Sequence, residues 1–205
     1  MLATGLLTAL AGAAAMIPEP GVPEAAVADA SATSLAGSAI PAEPGNETPS
    51  DDRAVPTRLT LPGLGITTTV VPVGVDDGGD LEIPDNPQTL GWWQDGATPG
   101  DDRGAVVIDG HVDSYRYGTG FFVSLRRLQS GDAVVLDGRN GARSDWTVGS
   151  AALYPRDALP YDQLFSHDGP PRLVLITCGG VFDRTSRSYS DNLVVTAYPE
   201  PTRRS

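Results

Sequence analysis

A chain of 205 residues with 26 acidic against 14 basic side chains carries a formal net charge of −12. It lacks the positive field that sequence-independent binding to a phosphate backbone requires, which excludes nucleic acid as a partner. One cysteine excludes an intrachain disulfide, and two histidines give no structural zinc spacing, so neither metal nor cofactor is expected.

Residues 1–17, MLATGLLTALAGAAAMI, contain no charged side chain. They read as a signal-peptide core or a short membrane anchor, although roughly 20 apolar residues are needed to cross a bilayer core and no basic flank precedes them. An Ala-rich tail is the other reading. From 18 to 56 the composition turns to Pro, Ala, Ser, Glu and Gly with few large apolar residues. Such a stretch buries too little surface to offset its ordering entropy and is expected to be a disordered tether. The folded domain is expected over 57–200, followed by a short tail, 201–205.

Within that domain, Thr57 to Leu61 alternates and Pro62-Gly63 punctuates it, while Ile66 to Val73 is rich in β-branched residues. After the turn-forming Asp76-Asp77-Gly78-Gly79, a short Leu81-Glu82-Ile83 reads as a third strand, antiparallel to its neighbours. Asn86 to Trp93 reads as a segment with a helical turn. Its paired Trp92 and Trp93 have two readings, the wall of a groove or core packing, and packing is the commoner fate of tryptophan. Ala105 to Ile108 is a buried strand ending in Asp109-Gly110-His111-Val112-Asp113-Ser114. Phe121 to Leu128 has helical spacing, with Phe122, Leu125 and Leu128 facing inward.

Ala133 to Leu136 and Ser144 to Val148 form a hairpin through Asp137-Gly138 and Asn140-Gly141. Ala151 to Pro155 continues it or adds a short strand, and Asp157 to Ser166 is a loop with one helical turn. Leu173 to Thr177 then runs uninterrupted into Cys178, where Gly179-Gly180 break the pattern. Asn192 to Tyr198 is the last strand. About eight short strands with few helices imply a mostly β domain closed into a barrel.

Two strands thus deliver reactive side chains at their ends, His111 and Cys178. A thiol attacks as its thiolate, and a neighbouring imidazole or guanidinium favours that form or stabilises the charge developed on acylation. His111 is the stronger acid or base because it ends a hydrophobic strand. His167, in a polar Asp-Gly-Pro-Pro setting, reads as a surface loop residue.

The segment Ala105 to Ser114, joined to Leu175-Ile176-Thr177-Cys178-Gly179-Gly180 and to Tyr189 to Val195, resembles the sortase family. Within it the chain is most similar to the actinobacterial class F group, with class E second, and the resemblance spans Thr57 to Tyr198. It implies a closed eight-stranded β-barrel with short helices and a cysteine transpeptidase without a cofactor. Cys178 would attack the Thr–Gly carbonyl of a Leu-Pro-x-Thr-Gly-like sorting signal and form an acyl-thioester. His111 would protonate the departing amine and later accept a proton from the incoming one. Thr177 would support the substrate or the oxyanion. The implied partners are surface proteins bearing a sorting signal, a peptidoglycan precursor or pilin amine, and the membrane through the N-terminal segment. The implied location is the extracytoplasmic face of a Gram-positive-type envelope.

Two positions depart from the family pattern. Val174 replaces the first Thr of Thr-Leu-x-Thr-Cys, and Ser190 stands where relatives carry an arginine that holds the substrate carbonyl. Arg187 and Arg184 are the nearest substitutes. Arg187 is the candidate, although simple alternation three residues upstream points it to the opposite face unless the strand bulges. A solvated loop charge is its other reading. The missing arginine also motivates a second function, a catalytically weakened barrel that binds envelope peptides. L,D-transpeptidases are set aside because their Ser-His-Gly-Cys arrangement is absent.

Overall fold

The computed structural model describes residues 54–200. The expected apolar start, nearly all of the expected tether and the 201–205 tail lie outside the described residues. Among the described residues no helix is long and apolar enough to cross a membrane.

The strands are β1 (Pro56–Leu61), β2 (Ile66–Val73), β3 (Thr89–Trp93), β4 (Ala105–Asp109), β5 (Asp113–Ser114), β6 (Gly118–Thr119), β7 (Ala133–Gly138), β8 (Arg143–Pro155), β9 (Arg172–Asp183) and β10 (Ser188–Pro199). Eight of them close a barrel in the order β1-β2-β3-β4-β9-β10-β8-β7, and β5 and β6 form a separate ribbon. The closed mostly β architecture with few helices is the one expected. Pro56 opens β1, a position where the missing N–H costs no ladder bond.

Three local expectations are corrected. Leu81-Glu82-Ile83 is no barrel strand: Leu81 makes only an isolated bridge to Val75. The Asp76 carboxylate accepts the Gly78 and Asp80 N–H groups at 2.8 and 3.0 Å, tying the segment into a local turn. The chain instead crosses over so that β3 runs parallel to β2, and β4 likewise runs parallel to β9. Asn86 to Trp93 holds no helix: a single turn, closed by the Thr89 N–H on the Asn86 carbonyl at 2.9 Å, leads straight into the strand Thr89–Trp93, which pairs on both sides. Nor does the cysteine strand stop at the glycines. β9 continues to Asp183, with Gly179 opposite Asp191 of β10. What ends near Cys178 is the β4–β9 ladder, while the β9–β10 hairpin runs on as a two-stranded arm.

The core has two layers that share these central strands. Leu173, Leu175, Val106, Ile108, Leu193 and Val195 point into the barrel with Trp92 and Phe122. Val174, Ile176, Ala105, Val107 and Val194 point outward, beneath Trp93, Leu164 and Phe165, the last two in and just after α1 (Tyr161–Leu164). Strands covered on both faces read as continuous apolar runs. That is why Ala105 to Ile108 and Leu173 to Thr177 show no alternation.

Both neighbouring tryptophans are packing residues, each 1% exposed. Trp92 donates its indole N–H to the Ala97 carbonyl inside the barrel (3.2 Å). Trp93 meets Phe165 edge-on in the outer layer, centroids 5.3 Å apart. Phe121–Arg127 winds as a 3-10 helix that buries Phe122 and Leu125, and Leu128 after it is also buried.

Because Leu175 is fully buried at the barrel centre, Leu175→Ala should lower unfolding free energy by about 3 kcal/mol. Val181→Ala, at a side chain 76% exposed on the arm, should change it by less than about 0.5 kcal/mol. Urea denaturation of both variants measures the difference.

Candidate active site

The parallel β4–β9 ladder pairs Val107 with Val174 and Asp109 with Ile176. Paired residues on adjacent strands face the same side, and the side repeats every second residue. Asp109 and Ile176 therefore share the outer face, and the next step along both strands brings up His111 and Cys178. The ladder persists one residue beyond β4, with the Gly110 N–H donating to the Ile176 carbonyl at 3.2 Å. Gly110 lies where a Cβ would strike the Leu90 side chain and approach Phe122 Cδ2 to 3.0 Å. Only glycine lets the backbone pass this close to the barrel filling on its way to His111.

His111 and Cys178, both half-buried, line one cavity of about 1490 Å³. Its wall also includes Asp109, Asp113, Arg156, Arg184, Arg187 and Tyr189. Thr177 is not on this wall. It is 1% exposed, points to the opposite side of β9 from Cys178, and donates its hydroxyl to the Gly110 carbonyl at 2.6 Å. His167 lies outside the cavity wall, exposed, with its ring 5.2 Å from that of Trp93.

Arg187 occupies the turn of the β9–β10 arm with φ 53°, a left-handed conformation uncommon for a side-chain-bearing residue. Its guanidinium lies over the Tyr115 ring, 5.7 Å from the centroid, so it bridges the arm to the β5–β6 ribbon at the cavity rim. Beside it the Tyr189 hydroxyl donates to the Asp113 carboxylate at 2.6 Å. Ser190 sits where the β9–β10 register shifts, between Tyr189 and Asp191. Its hydroxyl accepts the Val181 N–H at 2.9 Å and donates to the Asp191 carboxylate. The Ser190 side chain is thus turned onto the arm's own backbone and the adjacent carboxylate.

Asp109 and Arg156 are among the wall residues that the sequence did not single out. Asp109 was read only as the end of a strand, although its place two residues before His111 already implied a shared face. Arg156 lay between a strand and a loop with no local pattern to mark it. Its position becomes meaningful only through the β8–β10 pairing.

The electrostatics of the cavity are dominated by burial. Desolvation raises the Asp109 pKa to about 7, against the opposing hydrogen bond from the Gly110 N–H. Burial also pushes the Cys178 thiol up, and the Asp109 and Asp113 carboxylates push it further, while Arg156 pulls it down. The Tyr189 phenol is raised first by its bond to Asp113. At neutral pH the thiol holds its proton, and attack requires a base that removes it.

The Asp109 carboxyl loses its proton near 3.8 when unfolded but only near 7 when folded. The folded state therefore binds more protons across that window, and the stability contributed by this group, whole below about pH 4, is lost as pH rises to 7. Asp109→Asn should match the parent near pH 4 and be more stable by roughly 2–4 kcal/mol above pH 7, as read by urea unfolding at both pH values. Thr177→Val, which removes the bond to Gly110, should cost about 1–3 kcal/mol in the same assay.

A sortase domain matches residues 59–200. No curated protein matches the chain. Among solved structures, sortase A from Corynebacterium diphtheriae aligns with a TM-score of 0.52 at 18% identity, over 73% of this chain and 62% of that one. Sortase C-1 from Actinomyces oris aligns at 0.54 and 19%, over 71% and 73%. Sortase C from Clostridium perfringens SM101 aligns at 0.52 and 17%, over 72% and 70%. The chain thus spans less than two thirds of the Corynebacterium protein, and the structural likenesses concern the barrel. With the domain match extending from β1 to the end of β10, this chain belongs to the sortase family.

Proposed function

We propose that the protein is a cysteine transpeptidase that cleaves a Leu-Pro-x-Thr-Gly-like sorting signal between Thr and Gly and transfers the protein so released to an amine. The observation that carries this reading is the cavity at the end of the β4–β9 ladder, whose wall includes both His111 and Cys178. His111 takes the Cys178 proton as the sulfur attacks the carbonyl carbon. The tetrahedral intermediate collapses to a thioester as His111 returns that proton to the departing glycine amine. An incoming amine then attacks the thioester, His111 removes its proton, and the thiol is regenerated. Thr177 serves as a positioning residue, because its bond to Gly110 holds the backbone leading to His111 against β9.

The motifs around His111 and Cys178 favour actinobacterial class F, with class E second. The acceptor is a peptidoglycan precursor or pilin amine, and the location is the extracytoplasmic face of a Gram-positive-type envelope, reached through the apolar N-terminal segment. Arg187 and Arg184 line the same cavity and contribute positive charge where the peptide enters. The alternative is a barrel that binds envelope peptides without turning them over, motivated by Ser190 at the position of the family arginine.

Cys178→Ala should abolish cleavage of a Leu-Pro-x-Thr-Gly peptide while leaving the thermal unfolding profile intact, and full activity in that variant overturns the proposal. His111→Ala should lose about 10²- to 10⁴-fold, whereas His167→Ala should cleave like the parent. Peptide binding by the parent without labelling of Cys178 by a thiol-directed substrate analogue would favour the binding alternative.

A further inference from the structure

Attack of a thiolate on a peptide carbonyl places negative charge on the carbonyl oxygen, which fixed donors aimed at that oxygen stabilise in a partly dry site; a planar guanidinium, always charged, is one such donor. At this cavity the arginines are Arg156, Arg184 and Arg187. Arg184 and Arg187 belong to the turn of the β9–β10 arm, and the Arg187 guanidinium is engaged on Tyr115 at the rim. Arg156 follows β8, on the opposite side of β10 from Cys178.

The register places Arg156 closely. Cys178 is opposite Asn192, and Asn192 is opposite Tyr154, so the three side chains share one face. Arg156 is two residues beyond Tyr154 and returns to that face. The ladder still holds there, since the Arg156 N–H donates to the Ser190 carbonyl at 3.1 Å. With strands ~4.8 Å apart and a rise of ~3.4 Å per residue, its Cα stands ~12 Å from that of Cys178. An extended arginine and the thiol close most of that gap from both ends. Among the described residues no carboxylate lies within ion-pair distance of its guanidinium.

We propose that Arg156 is the catalytic cation of this site, donating to the substrate carbonyl oxygen as the thioester forms. It takes from the neighbouring strand the role for which Ser190, bonded to Val181 and Asp191, has no group to offer. The field of Arg156 is also the one that favours the Cys178 thiolate, against Asp109 and Asp113. This inference rests on the transpeptidase reading for the identity of the carbonyl, and on the β9–β10 and β8–β10 registers for the placement of the charge.

The test uses the full-length chain and two readouts. Arg156 is exposed, so its substitution spares the fold. Arg156→Gln should lower kcat/KM for the sorting peptide by about 10²- to 10³-fold and raise the apparent pKa of Cys178 alkylation by iodoacetamide. Arg156→Lys should restore the alkylation profile and part of the turnover. Arg103→Gln, at an exposed arginine paired with Asp168 and away from the cavity wall, should change kcat/KM by no more than about threefold. If the parent fails to cleave any sorting peptide, the transpeptidase reading falls, and the alkylation profile still decides whether Arg156 acts on the sulfur. Unchanged turnover and alkylation in Arg156→Gln, or a loss that follows Arg187→Gln instead, overturns the proposal.

Discussion

The site depends on one short stretch of parallel pairing. β4 and β9 are held in register from Ala105 against Arg172 to Asp109 against Ile176, and two further bonds clamp the point where they separate. The Gly110 N–H reaches the Ile176 carbonyl, and the Thr177 hydroxyl returns to the Gly110 carbonyl. A slip of one residue would send His111 or Cys178 to the barrel interior. Burial of both faces makes such a slip prohibitive, because every side chain of Leu173 to Thr177 has a different, filled place to occupy.

The same double burial sets the chemistry. Asp109, at the end of the doubly covered β4, is desolvated by burial, which raises its pKa to about 7. Ionised, that carboxylate opposes formation of the thiolate beside it, and Arg156 offsets it. Packing and reactivity are here one arrangement: the wall that seals the core also fixes the medium in which the sulfur works.

Much of this was legible in the residues. Continuous apolar runs ending in Gly-His-Val-Asp and in Thr-Cys-Gly-Gly identified the two central strands and their reactive ends. Turn residues at Asp137-Gly138 and Asn140-Gly141 marked the hairpin that the structure forms, where the Gly138 N–H meets the Ala142 carbonyl at 2.7 Å. What could not be read was pairing between distant strands. No local pattern says that β3 lies parallel to β2, and Leu81-Glu82-Ile83 imitated a strand because Leu81 packs partly against the outer layer. Arg156 was invisible for the same reason: its neighbour Ser190 is brought alongside only by the β8–β10 ladder. Cys178 read as a strand end because Gly179-Gly180 suit a break, yet Gly179 pairs with Asp191 and the chain remains extended.

The β9–β10 arm gives the molecule a division of labour along a single hairpin. Up to Cys178 its two strands are staves of the barrel, flanked by β4 and β8; beyond Gly179 they part from β4 and lean on each other, on the ribbon and on Arg126 and Arg156, exposing Val181 and Phe182. Lengthening or recolouring the tip around Arg184 to Arg187 would therefore redraw the mouth of the cavity without disturbing a stave. A lineage with this architecture is free to change which peptides it admits while the thiol and imidazole stay where they are.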